Sequence, residues 1–382
     1  MDRREFLSAS ALPLAAAAAG AGDAARHPVE GTRLRWHPAQ EVVRVGLIGA
    51  GANVQDVQIP GFRSTQGVEV LAVANRSLAS SQRVADQFGI PRAYAHWGEL
   101  LDDPDVDGVL IGTWPYMHRT LTLEALAHGK HVLCQARMAN DAAEAHEMLD
   151  ASQRHPDLVC QLVPTSTSYV IDNVLRRLIR DGFLGELLSV EIQRVGRAFP
   201  SFDGELDWRH DIEFSGYNAL NLGSTYESMM RWVGRGTRVM AMAKTNVPYR
   251  RDASGVRRSV HIPDHFDILY ELANGAQVHM RMSETTGFSS GNQTWLHGSE
   301  GTIHVDAGQN VRAGRRGDRD LVEVPNPVDG RAFYRVEEEF VNAIRGLEEV
   351  TQLPFEAGVG YMEWTEAVHR SAQTGTAIHL PL

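Results

Sequence analysis

Short apolar runs rich in β-branched residues alternate with amphipathic stretches in the first third of the chain. The runs comprise 42–48, 68–74 and 108–111, and an amphipathic segment, 80–88, lies between the second and the third. Apolar runs of this length predict strands, and their alternation with helices predicts a doubly wound parallel sheet. In such a sheet the ligand binds outside the carboxyl ends of the strands.

The pattern changes in the second half of the chain. Segments that alternate or contain β-branched residues recur at 188–194, 238–244, 265–272, 277–282 and 302–305. They predict an open, mostly antiparallel sheet. The predicted fold class is therefore α/β, with an N-terminal Rossmann doubly wound parallel sheet followed by an α+β domain with a large, mostly antiparallel open sheet.

A chain of 382 residues is too long for one ordinary core, so we expect two domains. The predicted bounds are 43–163 for the Rossmann domain, 164–355 for the substrate and oligomerisation domain, and 356–382 for a C-terminal helix and tail that pack back on the core.

The N-terminus has the features of an export signal. Arg3 and Arg4 precede an apolar, alanine-rich run, 9–19, which small residues follow. We predict a twin-arginine-type signal peptide at 1–25, an N-terminal arm at 26–42, and a periplasmic or secreted protein. The alternative is an alanine-rich helical tail with a chance arginine pair.

Composition narrows the class of partner. The net charge is −11, which argues against a nucleic-acid surface, because phosphate binding needs a concentrated basic stripe. No segment after the leader is apolar enough to predict a membrane span, and no Cys/His spacing predicts a metal site. The two cysteines, Cys134 and Cys160, each end an apolar run and are expected to be buried free thiols.

The first predicted strand leads into a glycine-rich turn. Gly49 and Gly51 match two of the three glycines in the G-x-G-x-x-G pattern, and Val54 stands at the third. In this pattern the glycines permit a tight turn and let backbone N–H groups approach a pyrophosphate at the start of the next helix. The predicted pyrophosphate site therefore comprises Gly49, Gly51, Ala52, Asn53 and Val54.

The second strand ends at Asn75, Arg76 and Ser77, where dinucleotide folds place the residue that binds the adenosine ribose. An acidic residue there would repel a 2′-phosphate. Asn75 removes that repulsion, while Arg76 and Ser77 offer donors. The cofactor is therefore predicted to be NADP or NAD, with NADP favoured. A simple polar turn is the alternative.

Several later motifs follow in order and resemble the Gfo/Idh/MocA family of sugar and cyclitol oxidoreductases. They comprise Thr113 to His118, Ala125 to Cys134, Leu178 to Glu186, Trp208 to Asp211, Gly216 to Gly234, Leu296 to Ile303 and Phe340 to Arg345. The resemblance implies a carbohydrate-like substrate and a homo-oligomer formed through the open sheet. It also implies that Thr113, Trp114, Pro115 and His118 contact the cofactor, with His118 near the nicotinamide ribose, although His118 could instead cap a helix.

The chain departs from the family where its chemistry is performed. Gln135, Ala136 and Arg137 align with the family's Glu-Lys-Pro triplet, so alanine replaces the lysine that contacts substrate hydroxyl and nicotinamide. Gln135 is kept as a predicted cofactor contact. Asn221 and Thr225 align with the aspartate and histidine of the family's Asp-x-Gly-x-His pattern. Neither replacement titrates near neutral pH.

Four residues are candidates for the missing catalytic roles. Arg137 could bind an oxyanion or carboxylate, or pair with Asp141. His210 can titrate near neutral pH, or could be a hydrogen-bonded loop residue. Tyr217 offers a phenol, or an aromatic wall, and Thr225 offers a hydroxyl.

Three functions remain open at this level. The first is an oxidoreductase that keeps NAD(P) tightly bound and acts on a carbohydrate or polyol, including by transient oxidation as in redox-assisted glycosidases and lyases. The second is a catalytically degenerate sugar- or nucleotide-binding protein. The third is an exported fold without a dinucleotide, which would follow if Val54 filled the crevice.

Overall fold

The computed structural model describes residues 42–326 and 334–382. The predicted signal peptide and all but the last residue of the predicted arm lie outside the described residues. A six-stranded parallel sheet in the order β3-β2-β1-β4-β5-β6 forms the first domain. Its strands are β1 (Val43–Ile48), β2 (Val68–Ala74), β3 (Arg92–Tyr94), β4 (Gly108–Ile111), β5 (His131–Cys134) and β6 (Cys160–Leu162).

Helices connect these parallel strands, as crossovers between parallel neighbours require. A π-helical turn, Val54–Gln58, precedes the first helix. The helices are α1 (Ile59–Ser64), α2 (Leu78–Phe88), α3 (Trp97–Leu101), α4 (His118–Ala127) and α5 (Ala142–Arg154), with a 3₁₀ turn at Pro115–Met117. Local sequence sets several ends: the Ser77 and Asp141 side chains cap α2 and α5, and Gly89 ends α2 in the left-handed conformation.

The second domain is built on a nine-stranded sheet in the order β16-β15-β14-β13-β7-β12-β11-β8-β17. Only the β7–β12 pair is parallel among these described strands. The strands are β7 (Leu187–Val195), β8 (Gly236–Lys244), β11 (His265–Leu272), β12 (Gln277–Ser283), β13 (Gln293–Gly298), β14 (Gly301–Val305), β15 (Val311–Arg315), β16 (Val322–Glu323) and β17 (Ile378–His379), while β9 (Tyr249–Arg251) and β10 (Arg257–Ser259) form a separate ribbon. These two sheets confirm the predicted fold class.

One face of the large sheet is covered by helices. Alternate residues of β11 are buried, which follows from the two-residue period of a strand. The helices of this part are α6 (Ser166–Arg180), α7 (Ile212–Ser215), α8 (Leu222–Val233), α9 (Val336–Ile344) and α10 (Phe355–Thr374), with 3₁₀ turns at Trp208–His210 and Ala219–Asn221.

Helix α9 packs with the first domain, although the sequence analysis assigned 164–355 to the second. Its buried residues Val336, Phe340 and Val341 belong to the same apolar cluster as Val43 and Phe62. The apolar face of α9 therefore completes the Rossmann core, a long-range contact that the order of segments along the chain does not indicate.

Helix α10 holds the two domains together. The Tyr361 hydroxyl accepts a hydrogen bond from the Met138 N–H, and the Glu366 carboxylate accepts one from the Ala142 N–H at the start of α5. On the other side, Ser371 Oγ accepts a hydrogen bond from the N–H of Ala241 in β8. Helix α10 therefore fixes the loop after β5 against the large sheet.

Both cysteines are free thiols. Cys134 is buried and Cys160 is partly buried. Burial raises the pKa of the Cys160 thiol to about 12, so neither their placement nor their protonation suits nucleophilic chemistry at neutral pH.

Candidate functional site

The glycine-rich turn lies at the carboxyl end of β1, between β2 and β4. Gly49 adopts φ 83° and donates its N–H to the Ala74 carbonyl. A side chain there would meet the Thr113 backbone nitrogen at 2.9 Å, so only glycine fits without strain. Gly51 differs, because a Cβ added to it would meet nothing within 4 Å. The space above Gly51 is therefore open to a ligand.

Val54 does not block this space. Its side chain is 2% exposed and packs beneath the turn, where a Cβ on Gly112 would overlap it. Val54 fills the gap between helix and strand that the third glycine of the pattern usually leaves, while the first-turn N–H groups of the following helix have no partner within that helix. The turn therefore keeps the features of an anion site.

A cleft of about 500 Å³ extends from this turn along the ends of β1, β2 and β4. We call it the Gly-turn cleft. Of the predicted cofactor contacts, it is lined by Gly49, Gly51, Asn75, Arg76, Thr113 and Trp114. Its lining also includes Gln55 from the π-helical turn, Arg83 and Gln87 from α2, and Trp97 from α3.

Asn75, Arg76 and Ser77 have three different positions at the end of β2. The Asn75 Oδ1 accepts a hydrogen bond from the Ala50 N–H at 2.7 Å, so this amide holds the glycine-rich turn. Arg76 lines the cleft. Ser77 does not line it, and its hydroxyl accepts a hydrogen bond from the Ser80 N–H as the N-cap of α2. Ser77 is thus a capping residue rather than the predicted donor to the cofactor.

Other predicted cofactor contacts lie beside the cleft rather than in its wall. Pro115 is buried. Asn53 donates to the Gln135 side chain at 3.2 Å, and Gln135 donates to Gln58 at 2.7 Å. Ala52 is exposed at the mouth of the turn. The Asn53–Gln135–Gln58 network joins the glycine-rich turn to the loop after β5. It therefore positions that loop beside the cleft.

His118, which was expected near the nicotinamide ribose, does not line the Gly-turn cleft. The His118 ring is 0% exposed, and both nitrogens are hydrogen-bonded, one to the Arg137 carbonyl at 2.8 Å and the other to the Thr113 carbonyl at 2.9 Å. Burial lowers the pKa of this histidine. Nor does the side chain cap a helix: it ties the loop after β4 to the loop after β5.

A second cavity, of about 410 Å³, lies at the start of the second domain. We call it the Arg137 cavity. Residues from six separate segments supply its polar lining: Arg137, Asp207, Arg209, His210, Asn218, Asn221, Arg250, Asp264 and Glu284.

Aromatic rings join the surfaces of the two sites. Trp114, from the Gly-turn cleft, stacks on Trp208 with ring centroids 5.8 Å apart, and it also contacts Phe214 at 5.1 Å. Tyr116 contacts Phe214 at 5.4 Å. Because Asp207 and Arg209 flank Trp208, the wall of one site continues into the wall of the other. The two sites are therefore close enough for a reaction between a ligand bound in one and a ligand bound in the other.

Comparison with known families decides what this arrangement belongs to. Residues 43–162 match the model of the oxidoreductase family with the NAD-binding Rossmann fold, and residues 173–304 match the GFO/IDH/MocA C-terminal domain. Together these segments cover more than half of the chain. The chain belongs to the Gfo/Idh/MocA family.

Named relatives agree with this assignment. The chain is 27% identical to the trans-1,2-dihydrobenzene-1,2-diol dehydrogenase of Sus scrofa over 272 residues, covering 71% of this chain and 74% of the relative. It is 26% identical to the levoglucosan dehydrogenase of Pseudarthrobacter phenanthrenivorans, with 62% and 64% covered. An uncharacterized oxidoreductase of Rhizobium meliloti is 30% identical, with 40% of this chain and 45% of the relative covered, so the chain spans under half the length of that relative.

Solved structures share the same fold. Levoglucosan dehydrogenase in complex with NADH and L-sorbose superposes with a TM-score of 0.80 at 19% identity, covering 89% of this chain and 99% of the other. The aldose-aldose oxidoreductase of Caulobacter crescentus, complexed with glycerol, gives a TM-score of 0.73 at 19% identity, with 89% and 100% covered.

Within this Gfo/Idh/MocA fold, no lysine substitutes for the one that Ala136 replaces. The chain has only two lysines. The Lys130 ammonium donates to the Asp103 and Val106 carbonyls below the amino end of β5, and Lys244 is exposed at the end of β8. Lys130 is therefore at the opposite end of β5 from Ala136, and Lys244 does not line the Arg137 cavity. The nearest cation along the chain is Arg137.

Arg137 is buried in the wall of its cavity and 8% exposed. Its guanidinium donates to the Asn221 amide oxygen at 2.6 Å, which links the two positions where the family motifs have changed. Burial and the neighbouring charge of Arg209 lower the pKa of Arg137 to about 10, so it remains charged at neutral pH. The alternative pairing with Asp141 is not formed, because Asp141 caps α5.

His210 also lines the Arg137 cavity, and its ring is oriented by local structure. Asp207 and His210 form a reciprocal cap on the short turn Trp208–His210, in which the Asp207 N–H donates to His210 Nδ1 at 3.1 Å. Burial, with the charge of Arg250, lowers the pKa of His210. The neutral ring therefore has its proton on Nε2, from which it can donate a hydrogen bond.

Tyr217 and Thr225 do not line the cavity, so the structure does not support the catalytic roles predicted for them. The Tyr217 ring packs against His369, with centroids 4.9 Å apart, and its N–H donates to the Asn140 carbonyl. Thr225 is half-buried in α8, one turn past Asn221.

Sequence reasoning missed Asp207 and three charged residues that other segments bring to the cavity. Arg250 comes from β9, Asp264 precedes β11 and Glu284 follows β12. In the sequence, Arg250 stands beside Arg251 and Asp252, a charged run that is typical of a solvated loop. A short antiparallel ribbon brings it to the cavity, and no local pattern announces that placement.

Within residues 42–326 and 334–382, no group of three or more His, Cys, Asp or Glu side chains is arranged to hold a metal ion. None of the described helices has the length and apolarity needed to cross a membrane.

Proposed function

We propose that this protein is an NAD(P)-dependent oxidoreductase that acts on a sugar or polyol. The observation that supports it most is the open Gly-turn cleft continuing into the polar Arg137 cavity through the Trp114–Trp208 stack. The family's NAD-binding fold and its dehydrogenase relatives support the same conclusion.

The residues of the Gly-turn cleft fit a dinucleotide. The open space at Gly51 and the helix N-terminus after it suit a diphosphate, and Trp114 and Thr113 extend toward the second domain. When bound, the nicotinamide would accept or donate a hydride. A thermal-shift titration of protein stripped of dinucleotide with NAD and NADP tests this step, and an apo preparation that is indifferent to both would contradict the proposed function.

His210 is proposed to donate a hydrogen bond from Nε2 to the oxygen of the carbon that is oxidised or reduced. Its Nδ1 is already occupied by the Asp207 N–H, which holds the ring in one tautomer. Asn221 and Arg137 then position the substrate, since an amide and a permanently charged guanidinium suit binding better than proton transfer.

We propose NADP as the preferred cofactor. Two guanidinium groups, of Arg76 and Arg83, line the Gly-turn cleft, and no carboxylate is among its described lining residues. Arg76→Gln and Arg83→Gln are expected to raise the Kd for NADP about tenfold each while changing that for NAD little. Equal losses for both cofactors would contradict the preference.

We further propose that the cofactor is retained between turnovers, by hydride return from a second substrate or by transient oxidation that permits elimination. Purified protein would then show bound dinucleotide. Rapid mixing with a sugar panel separates the routes: net reduction of the cofactor indicates a dehydrogenase, whereas a transient signal with cleaved product indicates the transient-oxidation route.

A non-catalytic binding protein is the second candidate. The replacement of three expected polar groups by Ala136, Asn221 and Thr225 favours it specifically, because each substitution removes a titratable group. Binding of both dinucleotide and sugar without any change in cofactor absorbance during long incubation would support this candidate over the oxidoreductase.

Export and assembly are proposals of the same kind. Twin-arginine export predicts that Arg3→Lys with Arg4→Lys keeps the protein in the cytoplasm, measured by cell fractionation.

Met240, Met242 and Leu269 are exposed on the outer face of the large sheet, which supports a homo-oligomer through that face. Light scattering of Met242→Asp against the wild type tests this interface.

A further inference from the structure

The charged groups around the Arg137 cavity are equal in number but are not all paired with one another. Three guanidinium groups and three carboxylates line it, from Arg137, Arg209, Arg250, Asp207, Asp264 and Glu284. If every guanidinium group were paired with a carboxylate, the cavity would have no preference for an anionic ligand. The groups are not all paired in that way.

Two of the carboxylates are already engaged by protein donors. Asp264 accepts hydrogen bonds from the N–H groups of Asn246 and Val247, both at 2.8 Å, and from the Asn246 amide at 3.1 Å. Asp207 caps the turn that contains His210 and lies 3.6 Å from the Arg209 guanidinium. These two acids therefore have little capacity left for the other arginines.

Among the described residues, Arg137 has no acidic partner, and Arg250 acts on the Glu284 carboxylate through its charge without a direct ion pair. In the described part of the chain, the only side-chain hydrogen bond of Arg137 is to the neutral amide of Asn221, and Arg250 Nε is buried without any acceptor. Neither residue forms an ion pair there. A guanidinium that is 8% exposed and lacks a counter-charge is costly unless an anion binds it.

The full set of charges limits how large that anion is. The three carboxylates equal the three guanidinium groups in number, so the cavity as a whole has no net positive charge with which to balance a dianion. A phosphate monoester, with about −1.5 to −2 charges at neutral pH, is therefore disfavoured. A single carboxylate adds only one negative charge and can be placed directly against Arg137, which has no counter-charge of its own.

Arg137 has the better geometry for a carboxylate. Its planar fork can bind both carboxylate oxygens at once, and Asn221 holds it through only one of its nitrogens. The neighbouring Arg209 adds positive potential at the same place. Glu284 can accept hydrogen bonds from sugar hydroxyls.

We propose that the substrate is a sugar or polyol bearing one carboxylate group, and that Arg137 binds this carboxylate. This inference rests on the proposed function for the identity of the site, and it adds the class of substrate. Arg137, one residue past the position of the family's lysine, thereby serves in substrate selection while His210 contacts the reacting oxygen.

The test uses matched pairs that differ by the acid group. Glucuronate against glucose, galacturonate against galactose, and gluconate against glucitol are titrated by calorimetry into the full-length protein with saturating NADP, and in parallel without it. At least one acid is expected to bind about tenfold or more tightly than its neutral counterpart, with a Kd that rises with salt. The neutral ligand should show little salt dependence.

Three variants locate the carboxylate. Arg137→Gln should lower the affinity for the acid much more than the affinity for the neutral ligand, which removes the preference, and Arg137→Lys should restore part of that preference. Arg180→Gln on α6 is the matched control, since that side chain is 77% exposed, and it should change nothing. If Arg137→Gln fails to fold, the salt dependence of the wild type still decides.

Failure of the inference is distinct from failure of the function. The inference is overturned if no acid binds more tightly than its neutral counterpart, if none binds at millimolar concentration, or if Arg137→Gln keeps the preference. Turnover of neutral sugars with bound dinucleotide would overturn the inference and leave the oxidoreductase standing. Acid-selective binding without any dinucleotide affinity would support the inference and overturn the oxidoreductase.

Discussion

The Gly-turn cleft and the Arg137 cavity adjoin each other but are built in different ways. The first is formed by backbone at the ends of parallel strands, with Gly49 and Gly51 supplying shape rather than chemistry. The second is formed by side chains from six separated segments. A backbone site survives substitution as long as the fold does, whereas a side-chain site changes its chemistry with each replacement. Membership of the family therefore describes the first site better than the second.

The largest effect is expected from a substitution that disrupts the Gly-turn cleft and leaves the Arg137 cavity intact. Gly51→Leu should raise the dinucleotide Kd at least about 1000-fold, about 4 kcal/mol, because the new side chain would occupy the space above the turn. Gly51 does not have a positive φ, so the backbone accepts the substitution without strain. Fluorescence titration measures the loss.

Gly51→Ser is the graded control for that variant and should give a smaller loss. The melting temperature without ligand should be unchanged in both variants, as should sugar binding in the Arg137 cavity. Unaltered dinucleotide affinity in Gly51→Leu would mean that the diphosphate binds elsewhere.

The next largest effect is expected from a substitution in the Arg137 cavity that leaves the Gly-turn cleft intact. His210→Gln should lower kcat about 100-fold, the order expected when one hydrogen-bond donor to the reacting oxygen is removed, and leave dinucleotide affinity unchanged. Because burial lowers the pKa of His210, the neutral ring should persist to a pH below about 6.5. Protonation of Nδ1 breaks its bond to the Asp207 N–H, so activity should fall on the acid side of that value.

His155→Gln, at the end of α5, is the matched control for the histidine substitution. It should leave both kcat and the pH profile at wild-type values. A His210→Gln enzyme with full activity would show that another group contacts the reacting oxygen.

The third prediction concerns Glu337, a buried residue of α9, the helix that packs on the first domain. Glu337 in α9 lies against Gly61, and burial raises the pKa of its carboxyl to about 7. The unfolded chain loses this proton near pH 4.3, so the folded state is progressively destabilised as the pH rises from about 4.3 to about 7. Glu337→Gln should therefore raise the free energy of unfolding by about 2 to 3 kcal/mol at pH 8, and by little at pH 4.

Urea denaturation at the two pH values measures this difference. Glu338→Gln is the control with the opposite sign, because Glu338 is an exposed carboxylate that pairs with Arg335 at 2.9 Å. Its substitution should lower stability slightly at pH 8. An equal gain for Glu337→Gln at both pH values would assign the effect to packing rather than to ionisation.

The sequence predicted the first domain well because its signals are local. An apolar run such as β1 and a glycine at a turn can be recognised from a few neighbouring residues, and both sheets of the predicted fold class are present. The packing of α9 on the Rossmann core could not be predicted in this way, because it depends on contacts between segments almost 300 residues apart.

The same distinction explains the outcome for the candidate site. Arg137 and His210 were found because they stand inside recognisable motifs, whereas Arg250 and Glu284 stand in segments that only the tertiary fold brings to the cavity. His118 was misplaced for a related reason. Its position in the motif is informative, but the burial of its ring between two loops is not visible in the sequence.

The smallest expected effect sharpens the boundary of the first site. Ser77 stands where a donor to a 2′-phosphate is expected, yet its hydroxyl accepts a hydrogen bond from the Ser80 N–H at 3.3 Å as the N-cap of α2. Ser77→Ala should therefore cost about 1 kcal/mol of stability and change the Kd for NADP less than about twofold. Denaturation and NADP titration of the same preparation measure both quantities. A tenfold loss of NADP affinity with unchanged NAD affinity would instead make Ser77 a phosphate ligand, and the cleft would then extend beyond the residues that now line it.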